Sequence, residues 1–189
     1  MKRVLIVSEA GKGCDLLYNL IESTSNYEII TALSGGEARQ IVFTEDYDII
    51  VINMPLSDES GLELSEKIVA ETGACVILIV HTERYDEILY RYEEKGIAVL
   101  EKPLSRQAFL HTLRLMTALH NRLNNLRFEN NTLKSKIDEI RMVDRAKCVL
   151  IQYLGMTEPM AHRHIEKQAM DMRVSKRRIA EDILRTYEM

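Results

Sequence analysis

Residues 115–140 read LMTALHNRLNNLRFENNTLKSKIDEI, and Met116, Leu119, Leu123, Leu126, Asn130, Leu133, Ile137 and Ile140 recur in them at alternating steps of three and four. That spacing averages 3.5 residues, close to the turn of an α-helix, so all eight positions fall on one narrow seam. No Pro or Gly interrupts residues 104–143. Such a seam is too narrow to serve a globular core, and its expected occupant is the same seam on a second copy. These eight positions are therefore the expected dimerisation surface of a coiled coil. Asn130 stands where a buried Asn pairs with its symmetry mate, which fixes register and favours two strands at some cost in stability. The alternative is one amphipathic helix lying on its own domain. A repeat sustained beyond three heptads favours the homodimer.

The long helix divides the chain into an expected front domain over residues 1–122, a coiled-coil linker over 123–140 and a helical domain over 141–189. Charge divides with it. Residues 1–103 hold nine Lys and Arg against nineteen Asp and Glu, a net −10, whereas residues 104–189 hold sixteen against ten, a net +6. An acidic front and a basic back are expected of a chain whose back half meets a polyanion. No apolar run approaches the roughly 18 residues of a membrane span. The opening MKRVLIVSEA has an apolar run of only four residues with Glu9 close behind, so it reads as a buried strand rather than a signal peptide. Cys14, Cys75 and Cys148 are widely spaced, with no CxxC. They suit a reducing cytoplasm and small packing roles in the core.

Ahead of the long helix, the apolar runs RVLIV (3–7), YEIITA (27–32), DIIVIN (48–53), CVILIV (75–80) and IAVL (97–100) alternate with helical patterns. Those patterns cover 12–23, 35–43, 61–71 and 83–95, the first with Leu16, Leu17, Leu20 and Ile21 on its inner face. Continuous apolar strands between helices indicate an α/β fold: a five-stranded parallel sheet covered on both faces. The working crevice of such a sheet lies at the carboxyl ends of its strands. There stand Ser8 and Glu9, Asn53, His81 and Thr82, and Lys102 followed by Pro103.

This arrangement resembles the flavodoxin-like receiver domain of two-component response regulators. That family places an acidic pair after the first strand, a phosphate-accepting Asp after the third, a Ser or Thr after the fourth and Lys-Pro after the fifth. The acids bind Mg²⁺, the Asp is the nucleophile, and the Lys and hydroxyl hold the phosphoryl oxygens. Here the acidic pair is reduced to Glu9 beside Ser8, the acceptor position is Asn53, and the hydroxyl position is His81, with Thr82 next to it. Only Lys102-Pro103 matches outright. An amide is a poor nucleophile and brings no charge for Mg²⁺. The expectation is a degenerate phosphoacceptor pocket (a pseudo-receiver) without catalytic residues, metal or cofactor, in which Lys102 bonds the Asn53 amide oxygen or Glu9. Asp58, in the same loop as Asn53, is a weaker substitute acceptor.

Behind the long helix, DRAKCVLIQYL (144–154) continues a helical face. Gly155 ends it, Thr157 caps a second helix running from Met160 to Met172, and Ser175 caps a third. The result is a small all-α three-helix bundle. Its residues Val143-Asp144-Arg145-Ala146-Lys147, Leu150, Leu154-Gly155-Met156-Thr157-Glu158, Ala161, Ile165-Glu166-Lys167-Gln168-Ala169-Met170-Asp171, Ala180 and Ile183-Leu184 resemble the ANTAR family of antitermination regulators. That resemblance implies binding to tandem RNA stem-loops in a transcript leader. Arg145, Lys147, Arg163, His164, Lys167, Arg173, Lys176, Arg177 and Arg178 are the expected RNA-binding residues, and Ala161, Ala169 and Met170 the expected packing positions. Two readings compete with an RNA-binding regulator: a DNA-binding regulator using the short basic third helix, and a protein-interaction module whose acidic front meets a sensor or regulatory protein. No nucleophile–base pair, P-loop or metal cluster appears in the sequence, so an enzyme is not expected.

Overall fold

The computed structural model describes residues 1–187; positions 188 and 189, the end of the expected helical domain, lie outside the described residues. The chain divides into two compact units between Asn125 and Leu126.

The first unit holds five strands, β1 (Lys2–Ser8), β2 (Tyr27–Ala32), β3 (Ile49–Asn53), β4 (Cys75–His81) and β5 (Ala98–Lys102). All pair in parallel in the order β2-β1-β3-β4-β5. Between them run α1 (Lys12–Glu22), α2 (Gly35–Val42), α3 (Leu62–Glu71) and α4 (Tyr85–Tyr92). The central runs of β1, β3 and β4 are apolar because both faces are covered, and the two-residue period sorts them. Leu5, Val7, Ile50, Ile52, Val76 and Leu78 face Ala38, Val42, Leu64, Ile68 and Ile88. Val4, Ile6, Ile49, Val51, Ile77 and Ile79 face Leu17, Leu20, Ile21, Phe109 and Leu113.

Three local expectations are corrected. The helical pattern at 83–95 is split into a 3₁₀ turn at Thr82–Arg84, α4, and a second 3₁₀ turn at Glu93–Lys95 that ends at Gly96 in the left-handed region. Thr82 Oγ1 donates to the Lys102 carbonyl at 2.6 Å, tying that first turn to β5. On α1, Cys14 joins Leu17, Leu20 and Ile21 inside, whereas Leu16 is 48% exposed. Cys148 is exposed rather than packed, because it points away from the buried Ala146, Val149 and Leu150 beside it.

One helix, α5, runs unbroken from Arg106 to Leu154. Its first turns lie on the second face of the sheet through Phe109, Leu113 and Met116. Met116, one of the eight positions of the expected dimerisation seam, is 5% exposed in its own chain's core. Leu119, Leu123, Leu126, Leu133, Ile137 and Ile140 remain 38–60% exposed, with the polar Asn130 among them.

Polar contacts bind the same stretch of α5 to the amino ends of the strands. Lys2 Nζ donates to Asn121 Oδ1 at 2.5 Å, and Tyr27 and Thr117 share a 2.9 Å hydroxyl contact. His120, buried to 5%, lies 3.0 Å from Asp48 Oδ1 through Nε2 and 3.2 Å from the Gly73 carbonyl through Nδ1. Asp48 Oδ2 in turn accepts the Arg3 backbone N–H at 2.7 Å. A buried polar side chain of this kind stabilises only while its partners stay in place.

The second unit adds α6 (Glu158–Met172) and α7 (Lys176–Tyr187). Its core is Val143, Ala146, Val149 and Leu150 of α5 packed with Ala161, Ile165 and Ala169 of α6 and Ile179, Ala180, Ile183 and Leu184 of α7. Gly155, with φ of 64°, turns the chain out of α5. Ser175 Oγ accepts the Arg178 N–H at the start of α7.

His120→Ala leaves the Asp48 carboxylate and the Gly73 carbonyl without this partner. It should cost about 1–3 kcal/mol in urea unfolding, with far-UV dichroism of the folded state unchanged.

Candidate functional site

In this sheet the strand order reverses at β1, which has β2 on one side and β3 on the other, so the crevice opens at the carboxyl ends of β1 and β3. The register sets Ser8 directly opposite Asn53 there. Asn53 Nδ2 donates to Ser8 Oγ at 2.9 Å, and Ser8 Oγ donates to the Glu9 carbonyl at 3.2 Å. Gly13, in the first turn of α1, passes so close that a Cβ there would lie 2.8 Å from Asn53 Nδ2. Ser8 is buried, while the Glu9 side chain is exposed.

Lys102 reaches the crevice from β5. Its Nζ donates to the Met54 carbonyl at 2.6 Å, not to Asn53 or Glu9 as expected. The reason is chemical. Neither Ser8 nor Asn53 is anionic, so the ammonium takes the nearest backbone acceptor. Burial lowers the Lys102 pKa from its usual value. His81 ends β4 with an exposed side chain. The structure therefore brings Ser8, Asn53 and Lys102 together, leaves His81 and Glu9 facing solvent, and uses the Thr82 hydroxyl to tie β4 to β5. A receiver's Mg²⁺ needs carboxylate oxygens in near-octahedral order. A serine hydroxyl already joined to an amide N–H, with Glu9 as the one nearby acid of the motif, does not fit it.

Asp58 is committed elsewhere. Its two carboxylate oxygens accept the Gly35 and Gly36 N–H groups, each at 2.8 Å, at the start of α2. Those two N–H bonds, Gly35 first, hold its pKa below the usual carboxylate range. Glu59 beside it makes a two-pronged ion pair with Arg39 of α2, one prong at 2.8 Å. A Cβ on Gly35 would collide with the Glu59 side chain, so the glycine makes this close docking possible. The loop after β3 is thereby fastened to α2, a function the sequence pattern did not reveal.

In the second unit the nine basic candidates separate into two groups. Lys147 lies 2.8 Å from Asp144 and 3.2 Å from Glu158, and both carboxylates raise its pKa. Lys176 meets Glu166 at 2.5 Å, Arg177 meets Glu181 at 2.9 Å, and Arg178 meets Asp182 at 3.6 Å. Arg145 is exposed and has a partner of its own. Among the described residues, Arg163, Lys167 and Arg173 stand in no ion pair, and all three are exposed; His164 is half-buried. Arg163 and Lys167 share one face of α6 with Met160 and Met170, at steps of three and four. Met160 is 57% and Met170 78% exposed, so Met170 belongs to this outer face and not to the packing positions, unlike Ala161 and Ala169, which are in the core.

Residues 4–114 match the response regulator receiver domain, and residues 131–184 match the ANTAR domain. This chain is a response regulator with a C-terminal ANTAR domain. Transcriptional regulatory protein PdtaR of Mycobacterium tuberculosis is 28% identical to this ANTAR response regulator over 187 residues, 98% of this chain and 90% of that protein. Sensory transduction protein LytR of Staphylococcus saprophyticus is 26% identical over 159 residues, 76% of this chain and 61% of that one. A CheY-like receiver domain protein from Methanospirillum hungatei superposes with a TM-score of 0.57 at 22% identity, covering 65% of this chain and 98% of its own. A two-component response regulator from Clostridium difficile gives 0.55 at 24% identity, covering 61% and 95%. These structural likenesses show the receiver fold. No described helix is long and apolar enough to cross a membrane.

Because its folded pKa is depressed, Asp58 contributes stability that is present above its unfolded pKa of about 3.9 and is lost as pH falls through the lower folded value. Asp58→Asn should therefore be less stable than the parent at neutral pH. The gap should close as the solution is acidified through the carboxylate range, as read from thermal unfolding at a series of pH values.

Proposed function

We propose that this ANTAR response regulator binds paired RNA stem-loops in a transcript leader as a homodimer and so prevents transcription termination, without control by aspartyl phosphate. The observation that carries the reading is the outer face of α6. Arg163 and Lys167 are exposed there without ion pairs among the described residues, flanked by the thioethers of Met160 and Met170. Single-stranded loop bases offer apolar faces to such a surface, and their phosphates offer charge to the two cations. The DNA-binding alternative relies on α7, whose Lys176, Arg177 and Arg178 already meet acidic partners. That difference favours RNA.

The seam from Leu119 to Ile140 suits a coiled coil, with residues 123–140 as the linker between a receiver-like domain and the ANTAR domain. Two linked bundles then hold two hairpins at high effective concentration. The acidic front domain is the surface for a sensor or regulatory protein. The protein acts in the cytoplasm, where transcripts are made, and catalyses no reaction of its own.

A labelled RNA carrying two hairpins should bind more tightly than duplex DNA of equal length at the same salt, by fluorescence anisotropy. Arg163→Ala with Lys167→Ala should weaken binding and flatten the dependence of log affinity on log salt by roughly 0.7–0.9 per cation. Arg177→Ala with Arg178→Ala should do less. Equal binding of RNA and DNA would remove the proposal. Leu126→Glu with Leu133→Glu should give monomers in sedimentation and lower the two-hairpin affinity by about 100-fold or more, towards that of a single hairpin. Incubation with acetyl phosphate and Mg²⁺ should leave no acid-labile acyl phosphate on the protein; stoichiometric incorporation would show that the crevice still takes phosphate.

A further inference from the structure

Beside the Ser8–Asn53 pair, a cavity of about 260 Å³ opens between the first turns of α1 and the loop that joins β5 to α5. Leu16, Leu17, Ile79 and Leu104 form its walls, Asn53 and Lys102 bring the polar atoms, and none of its lining residues is acidic. Leu16, displaced from the inner face of α1, stands half-exposed at this opening.

Lys102 is the unusual member. An ammonium carries three N–H donors, and the Met54 carbonyl is its one hydrogen-bonded partner among the described residues. No carboxylate lies within 4.0 Å of it among those residues, although the first 103 residues carry a net charge of −10. A partly buried cation beside apolar walls gains most from an anionic acceptor, since a charge-assisted bond there is stronger than one to a neutral carbonyl. The loss of acids that makes the crevice unfit for Mg²⁺ makes it fit for an anion. The apolar walls select the rest of the molecule. A ligand that is ionic throughout, such as free phosphate, leaves the leucines without a partner, whereas a hydrocarbon tail buries them. The volume corresponds to about nine waters at roughly 30 Å³ each, the size of a six-carbon acid.

We propose that this cavity binds a small carboxylate with an apolar tail, its carboxylate on the Lys102 ammonium and its tail against Leu16, Leu17, Ile79 and Leu104. The site deepens the reading of the front domain as one that takes no phosphate on residue 53, and it rests on that reading, because a phosphoryl group there would compete for Lys102. Binding needs no Mg²⁺.

The test uses the full chain with hexanoate, hexanol and hexylamine as probes in metal-free buffer, followed by backbone amide shifts and by thermal unfolding. Hexanoate should saturate, raise the Tm and shift the amides of Asn53, Lys102 and Leu104. Hexanol and hexylamine should bind at least about tenfold more weakly, as expected for loss of one charge-assisted bond. Lys102→Gln should remove the preference for hexanoate over hexanol. Leu16→Glu, at a side chain half in solvent, should keep the fold and abolish binding. Absence of saturable hexanoate binding, equal binding of hexanol, or an unchanged preference in Lys102→Gln overturns the proposal. Acyl-phosphate formation, assayed separately, would count against the reading of Asn53; failure of hexanoate to bind counts against this site alone.

Discussion

The packing of Phe109, Leu113 and Met116 against the sheet decides which side of α5 faces the core of the first unit. Leu119, Leu123 and Leu126 follow Met116 along the same seam and are 38–52% exposed, where the sheet no longer covers it. The Lys2, Tyr27 and Asp48 contacts fix the same rotation from the polar side. Farther along, Val143, Ala146, Val149 and Leu150 use the helix again as the wall of a second core. Leu126, Leu133, Ile137 and Ile140 stay 49–60% exposed among the described residues. Exposed apolar area of this extent is a recognised mark of an interaction surface.

The crevice at β1 and β3 combines a receiver scaffold with side chains that differ from the receiver motif. Its scaffold needs apolar strands, a glycine where α1 passes the end of β3, and a lysine at the end of β5, and all are present. Where the motif has acids, positions 8 and 53 hold Ser and Asn. Ser8 and Asn53 satisfy each other, Lys102 turns to a backbone carbonyl, and Asp58 serves the start of α2. Among the described residues no buried side-chain polar atom of the crevice is left without a partner, while the Lys102 ammonium keeps donors to spare beyond the Met54 carbonyl.

The sheet was legible in the sequence because five runs of β-branched and aliphatic residues leave no other placement, and the seven-residue repeat marked the long helix equally well. The end of the seam was not legible. Met116 keeps the spacing of Leu119 and Leu123, and only the position of the sheet tells that it is buried. His120 was invisible for a related reason: a histidine amid a polar stretch carries no periodic signal, and its partners Asp48 and Gly73 lie far off in the chain. Lys102 was found through its Lys-Pro neighbourhood, but its partner was misjudged, since a backbone acceptor has no sequence signature. On α6 the composition revealed the cations and could not separate Arg163 and Lys167 from those, such as Lys176, that are held by acids. Met170 was misplaced because methionine serves core and surface alike.

The Ser8–Asn53 pair also bears on how the sequence can drift. An aspartate at 53 would lose the N–H that Ser8 now accepts, and a carboxylate at 8 would set a charge against the Asn53 amide. Each residue is fitted to the other, so a change at one position alters what the other can hold.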